Sequence, residues 1–189
     1  MRIGCVVMAA GNGSRFGSNK LLRVIDGKSV IERALDAVPR DVVDTVAVVT
    51  QYAPIIELAK RRGFSSIENR YPERGISYTI KLGLQTVQQT DAVLFMVADQ
   101  PLLQRETVER LVEFYLQQPQ RIAALAHNGV RGNPCIFPAA CFPALLALQG
   151  DTGGGAVIKA DAHGARLLEA DEKQLCDIDT PQELEKLVK

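Results

Sequence analysis

The chain has 189 residues, with 22 Lys and Arg balancing 22 Asp and Glu and no basic block, so the electrostatic footprint of a nucleic-acid binder is missing. Hydrophobic residues make up 47% and aromatics 5%, with no Trp, which calls for one core of Val, Ile, Leu and Ala in a chain long enough to need no staples. Cys5, Cys135, Cys141 and Cys176 form no CxxC pair, and His127 and His163 stand at no ligand spacing, which argues against a zinc site and for structural thiols in a cytoplasmic chain.

Ile3 to Ala9 is an apolar run led by one Arg and followed by Gly-Asn-Gly, which reads as a buried strand rather than a signal peptide. No segment is long enough for a membrane span. The loop MAAGNGSRFGSNKLL, Met8 to Leu22, follows at once. Bare glycine backbone after a strand lets N–H groups converge on phosphate oxygens. The dinucleotide fingerprint fails, because Gly11, Gly13 and Gly17 are spaced G-x-G-x-x-x-G. A P-loop fails too, because Leu22 stands five residues before Gly27-Lys28-Ser29. What distinguishes the loop is its cations, Arg15 and Lys20, with no acid before Asp26. Such a pair can grip a triphosphate and neutralise a departing pyrophosphate.

Ser29 to Val38 has apolar residues at helical spacing with Ser29 and Glu32 in capping-box register. Thr45 to Thr50 is a second β-branched run, and Pro54 to Arg62 a second helix. Gly75 heads a helix predicted over Ser77 to Gln88, with Ser77 and Thr79 near its start, where amides and small hydroxyls suit a polar ligand. Ala92 to Val97 is a third strand, and Asp99 stands at its C-terminal edge before Pro101. An acid there is a turn former or a hard-cation ligand facing the crevice at the strand ends. A triphosphate site needs Mg²⁺, which favours the second role.

Arg105 to Gln117 is a helix and Ile122 to Ala126 a fourth strand. Denser Gly and Pro between Ala126 and Gly155 suggest a small substrate-facing insertion, within which Ala139 to Leu148 is helical. Asp151 lies in a glycine-rich turn, as a turn former or facing the acceptor or metal. A last helix is predicted over Pro181 to Val188. Alternating strands and helices predict a single α/β domain over residues 1–189, with a mostly parallel sheet.

The Met8 to Leu22 stretch resembles the first motif of the MobA-like nucleotidyltransferases, L-A-A/G-G-x-S-x-R-M-G-x-x-K-x-L, with Met, Gly13 and Phe16 as its departures. The resemblance extends along the chain. It implies a three-layer α/β/α, Rossmann-like fold of the nucleotide-diphospho-sugar transferase kind. Ala9, Ala10, Gly11, Gly13, Arg15 and Lys20 would bind the nucleotide, with Ala10 leaning toward CTP over GTP. ENRYPERGISYTIKLGL is similar to the family's N-x-x-x-x-x-G-x-x-x-S stretch, which implies that Asn69, Gly75 and Ser77 lie near base and ribose. Asp99 matches the metal-binding Asp of its D-x-P segment. CDIDTPQEL resembles the closing D-I-D-T-P-E-D-L, so Asp177 or Asp179 would be the second contact to Mg²⁺.

On the acceptor side, Gly132 and Pro134 match the Gly-His-Pro of the molybdopterin cytidylyltransferases, with Asn133 in place of His. Near Asp151, Gly154 and Gly155 stand where that group writes Ala-Arg. The resemblance therefore implies a transferase with Arg15, Lys20 and Asp99 in catalytic roles, moving CMP from CTP to molybdopterin or another phosphorylated acceptor. A molybdenum hydroxylase would be the client. Rival readings are a guanylyltransferase using GTP, a cytidylyltransferase for a sugar phosphate, choline phosphate or methylerythritol phosphate, and a non-catalytic accessory protein for such a hydroxylase. An accessory binder has no need of both Lys20 and Asp99.

Overall fold

The computed structural model describes residues 1–11 and 19–178. Its strands are β1 (Ile3–Ala9), β2 (Val24–Ile25), β3 (Lys28–Ser29), β4 (Thr45–Thr50), β5 (Ser65–Glu68), β6 (Ala92–Val97), β7 (Ala123–His127), β8 (Val130–Pro138) and β9 (Arg166–Glu169). Its helices are α1 (Val30–Asp36), α2 (Ala53–Arg61), α3 (Ile76–Val87), α4 (Arg105–Leu116), α5 (Phe142–Ala147) and α6 (Gly155–Ala160). Seven strands form one sheet in the order β5-β4-β1-β6-β8-β7-β9, while β2 and β3 make a small hairpin. Only β8 runs against its neighbours in the large sheet; the other pairings, β1 with β4 and β6, β4 with β5, and β7 with β9, are parallel.

The sheet is covered on both faces, which is why its central strands read as nearly unbroken apolar runs. Successive side chains of a strand point to opposite faces. In β1, Ile3, Cys5, Val7 and Ala9 therefore join a cluster with α1, α2 and α4, whereas Val6 joins one with α3, α5 and α6. The result is the three-layer α/β/α arrangement. Helix α3 lies close on β1: a Cβ on Gly4 would stand 2.5 Å from Val87, and one on Gly83 would stand 2.3 Å from Val6. This contact carries the N-terminal end of α3 to the C-terminal edge of the sheet.

The predicted capping box is present in both halves, with Ser29 Oγ accepting from the Glu32 N–H and Glu32 accepting from the Ser29 N–H at 2.8 Å. The region between Ala126 and Gly155 is a correction. Residues expected to form an insertion instead supply β8, which sits inside the sheet between β6 and β7. Its signal is masked by Gly132 and Pro134, which fall where the β7–β8 register shifts, a place that tolerates a residue without an N–H. The helix expected over Ala139 to Leu148 is a 3₁₀ turn, Ala139–Cys141, followed by α5. The helix predicted over Pro181 to Val188 lies outside the described residues.

Candidate functional site

The chain leaves β1 for β4 and β5 on one side and returns to the other side of β1 as β6. The carboxyl ends of β1 and β6 thus meet at a topological switch point, where open α/β sheets bind ligands. A cavity of about 370 Å³ opens there. Its floor is the backbone from Met8 to Gly11 and from Val97 to Asp99; Lys20 and Leu21 close one side, and Pro72, Gly75, Ile76, Thr79 and Asp151 the other.

The backbone from Met8 to Gly11 is held from both neighbouring strands. The Ala98 N–H donates to the Met8 carbonyl at 3.1 Å. On the other side, three consecutive side chains at the end of β4 donate to three consecutive carbonyls. Thr50 Oγ1 reaches Ala9 at 2.9 Å, Gln51 Nε2 reaches Ala10 at 2.8 Å and Tyr52 Oη reaches Gly11 at 2.8 Å. These bonds continue the β1–β4 ladder past its end. Burial raises the Tyr52 phenol above its ordinary value, an effect that the nearby Lys20 ammonium only partly opposes, so its proton stays available to Gly11.

Lys20 begins a 3₁₀ turn, Lys20–Leu22, whose first amides are capped by Asn19 Oδ1 accepting from the Leu21 N–H at 3.0 Å. Its Nζ donates to Asp99 Oδ2 at 2.8 Å, with both side chains largely shielded from solvent. The cation and carboxylate that the sequence separates by 79 positions therefore face each other across the cavity floor. The turn after Asp99 is joined to the C-terminal segment: the Ile178 N–H donates to the Asp99 carbonyl at 2.9 Å, and Gln100 Nε2 donates to the Leu175 carbonyl and to Asp177 Oδ1, each at 2.9 Å. Asp177 is thus tied beside the Asp99 turn, although it is not on the cavity wall. Gly13, Arg15 and Asp179 lie outside the described residues.

On the far wall, the amides at the start of α3 are already engaged. The Ile76 N–H donates to Asp151 Oδ1 at 3.3 Å and the Ser77 N–H to the Gly150 carbonyl at 3.2 Å. Asp151 therefore caps α3 across the cavity rim from a remote loop. Ser77 is buried away from the cavity, and Asn69 likewise: its Nδ2 donates to Thr79 Oγ1 at 3.1 Å and its Oδ1 accepts from the Tyr71 N–H at 3.0 Å. Both residues shape the wall without forming it, and Thr79 is the hydroxyl that faces the space. Gly132 and Pro134 are off the wall as well; a Cβ on Gly132 would stand 3.2 Å from Leu175, and Pro134 is buried.

Gln51 and Tyr52 were not singled out by motif or spacing. The signal that finds them is position, since they follow β4 as Gly11 follows β1. Among the described residues no group of three or more His, Cys, Asp or Glu could hold a metal ion alone. Asp99 presents carboxylate oxygen to the cavity, a hard donor of the kind that can contribute to a divalent-cation site.

A family model described as MobA-like NTP transferase domain matches residues 5–167. The purine catabolism protein PucB of Bacillus subtilis (strain 168) is 29% identical over 191 residues, covering 94% of this chain and 92% of that protein. Among solved structures, a nucleotidyl transferase from Methanothermobacter thermautotroptrophicus (Mth528) superposes with a TM-score of 0.82 at 24% identity, covering 98% of this chain and 95% of that one. Rv0371c from Mycobacterium tuberculosis H37Rv gives 0.81 at 22% identity, covering 100% and 98%, and has also been solved as a complex with manganese. At these identities the structural likeness establishes the fold.

Proposed function

The chain belongs to the MobA-like NTP transferase family, and from that premise we propose that it transfers CMP from CTP to the terminal phosphate of molybdopterin, releasing pyrophosphate. The observation that carries this reading is the convergence of the Ala9 to Gly11 backbone, Lys20 and Asp99 on one cavity of about 370 Å³. An oxygen of the acceptor phosphate forms the new bond to the α-phosphorus of CTP. The bond from that phosphorus to the bridging oxygen breaks, and its electrons leave with pyrophosphate. The acceptor phosphate is already anionic at neutral pH, so no Ser, Cys or His nucleophile is required.

Catalysis then rests on positioning and charge neutralisation. The Ala9 to Gly11 backbone, held by Thr50, Gln51 and Tyr52, would face the nucleotide. Lys20 faces the β- and γ-phosphates and offsets charge on the leaving group, with Arg15 as its partner. Asp99, with Asp177 or Asp179, would hold Mg²⁺. When bound, the ion polarises the phosphoryl oxygens and draws off their charge. Ala10 is the basis for CTP over GTP, and a molybdenum hydroxylase would receive the product. We further infer that the whole chain works as one domain in the cytoplasm; no helix among the described residues is long and apolar enough to cross a membrane.

The test is pyrophosphate release with Mg²⁺, molybdopterin and each nucleoside triphosphate in turn. Release with CTP and little with GTP is expected. Release confined to GTP overturns the base assignment, and none with any triphosphate overturns the acceptor. Asp99→Asn should lower kcat by about a hundredfold or more while the circular dichroism spectrum stays unchanged. Full activity in that variant would remove Asp99 from the mechanism.

A further inference from the structure

The glycine run at Gly153 to Gly155 departs from the pattern the sequence resembles, and the structure supplies a physical reason. A Cβ on Gly154 would stand 2.9 Å from Phe137 Cζ, and one on Gly155 would stand 2.9 Å from Arg131 Nη2. Side chains from β8 already fill the space that residues 154 and 155 leave open. At position 155 the filling group is a guanidinium. It projects from the neighbouring strand rather than from α6, but it occupies the place where a side chain on Gly155 would begin.

Arg131 is exposed, and its contacts are long: Nη1 lies 3.5 Å from the Gly132 carbonyl and 3.6 Å from Cys135 Sγ. Among the described residues no carboxylate lies within ion-pair distance of it, unlike Arg33, Arg62 and Arg105, each of which has one. Burial keeps the Cys135 thiol above its ordinary value even with this cation beside it, so the thiol gives Arg131 no counter-charge. The guanidinium therefore keeps most of its donors for something outside the protein. Its surroundings lie next to the cavity: a Cβ on Gly153 would stand 3.6 Å from Ile76, Ile76 is on the cavity wall, and Asp151 of the same loop lines the rim.

We propose that Arg131, set over Gly155 beside the cavity rim, binds the phosphate group of the acceptor. The proposal deepens the transferase reading and rests on it for the identity of the ligand. A planar guanidinium suits this task because two of its N–H groups can meet two phosphate oxygens in parallel. Gly155, which has no side chain, leaves it the room to do so.

The test uses the intact protein with two probes followed by amide NMR. Inorganic phosphate should shift the Gly154, Gly155 and Gly132 amides in the wild type, and Arg131→Gln should abolish those shifts while Arg131→Lys keeps part of them. Mg²⁺ with CTP should shift the Ala10 and Gly11 amides equally in all three proteins. In turnover, Arg131→Gln should raise the KM for molybdopterin about tenfold or more and leave the KM for CTP unchanged, as expected for losing a charged hydrogen bond. Phosphate shifts that are absent from the wild type, or that persist in Arg131→Gln, overturn the assignment of Arg131. Identical losses in the Gln and Lys variants overturn the role of its charge. Silence of Ala10 and Gly11 toward CTP overturns the transferase reading instead, and leaves the phosphate result to stand by itself.

Discussion

Gly75 shows how one residue can hold the cavity wall together. Its backbone lies at φ 79° and ψ −176°, a region that essentially only glycine occupies. A Cβ there would also stand 2.4 Å from the Gly150 carbonyl, the same carbonyl that accepts from Ser77. Gly75→Ala should therefore cost roughly 2–4 kcal/mol, through backbone strain and forced separation of the loop that carries Asp151. Urea unfolding measures the loss, and a variant as stable as the wild type would refute the argument. A contrasting case is Cys5, whose thiol burial pushes up to about 12, in keeping with a packing residue rather than a reactive one. Lys20 and Asp99 could be marked from the sequence as chemistry-bearing; their pairing at 2.8 Å could not, because nothing in a spacing of 79 positions specifies contact.

At the scale of elements, the pattern read best where local forces decide. Helix α1 starts where its capping box says it should, and β1, β4 and β6 match their apolar runs because both faces of each are covered. Ser29→Ala should cost about 1 kcal/mol, read from the chemical denaturation midpoint. Glu32 titrates below its ordinary 4.5, first because Ser29 Oγ–H and then because the Ser29 N–H donate to its carboxylate. A lowered folded-state value means that the contribution is fully present above the unfolded pKa and is lost as pH falls through the folded one. Stability should therefore decline below about pH 4.5 in the wild type, and Glu32→Gln should flatten that part of the profile. A profile identical in the two proteins would count against the capping box as its source. Elements whose form depends on neighbours were the ones missed. β5 and β9 are four-residue edge strands with half-exposed patterns, β8 hides behind Gly132 and Pro134, and the six-residue α6 follows a glycine run.

At the scale of the molecule, the two apolar clusters share the same strands, so neither face can unfold and leave the other intact. A single cooperative thermal transition is expected, and Mg²⁺ with CTP at about a hundred times its Kd should stabilise the fold by about 2.7 kcal/mol, a rise of roughly 5–10 °C in Tm. GTP at the same concentration should give less, and no shift with CTP would contradict the nucleotide reading. By itself the sequence determined the α/β class, the family resemblance and the residue types able to handle a triphosphate, since these depend on local periodicity and on motifs within single loops. Only the tertiary structure decided which of those residues meet. It tied the Ala9 to Gly11 carbonyls to the end of β4, spent the α3 amides on Asp151 and Gly150, and set Arg131 over Gly155. Each of these contacts joins segments distant in the chain, and their geometry is set by strand order and helix seating, which no local pattern encodes.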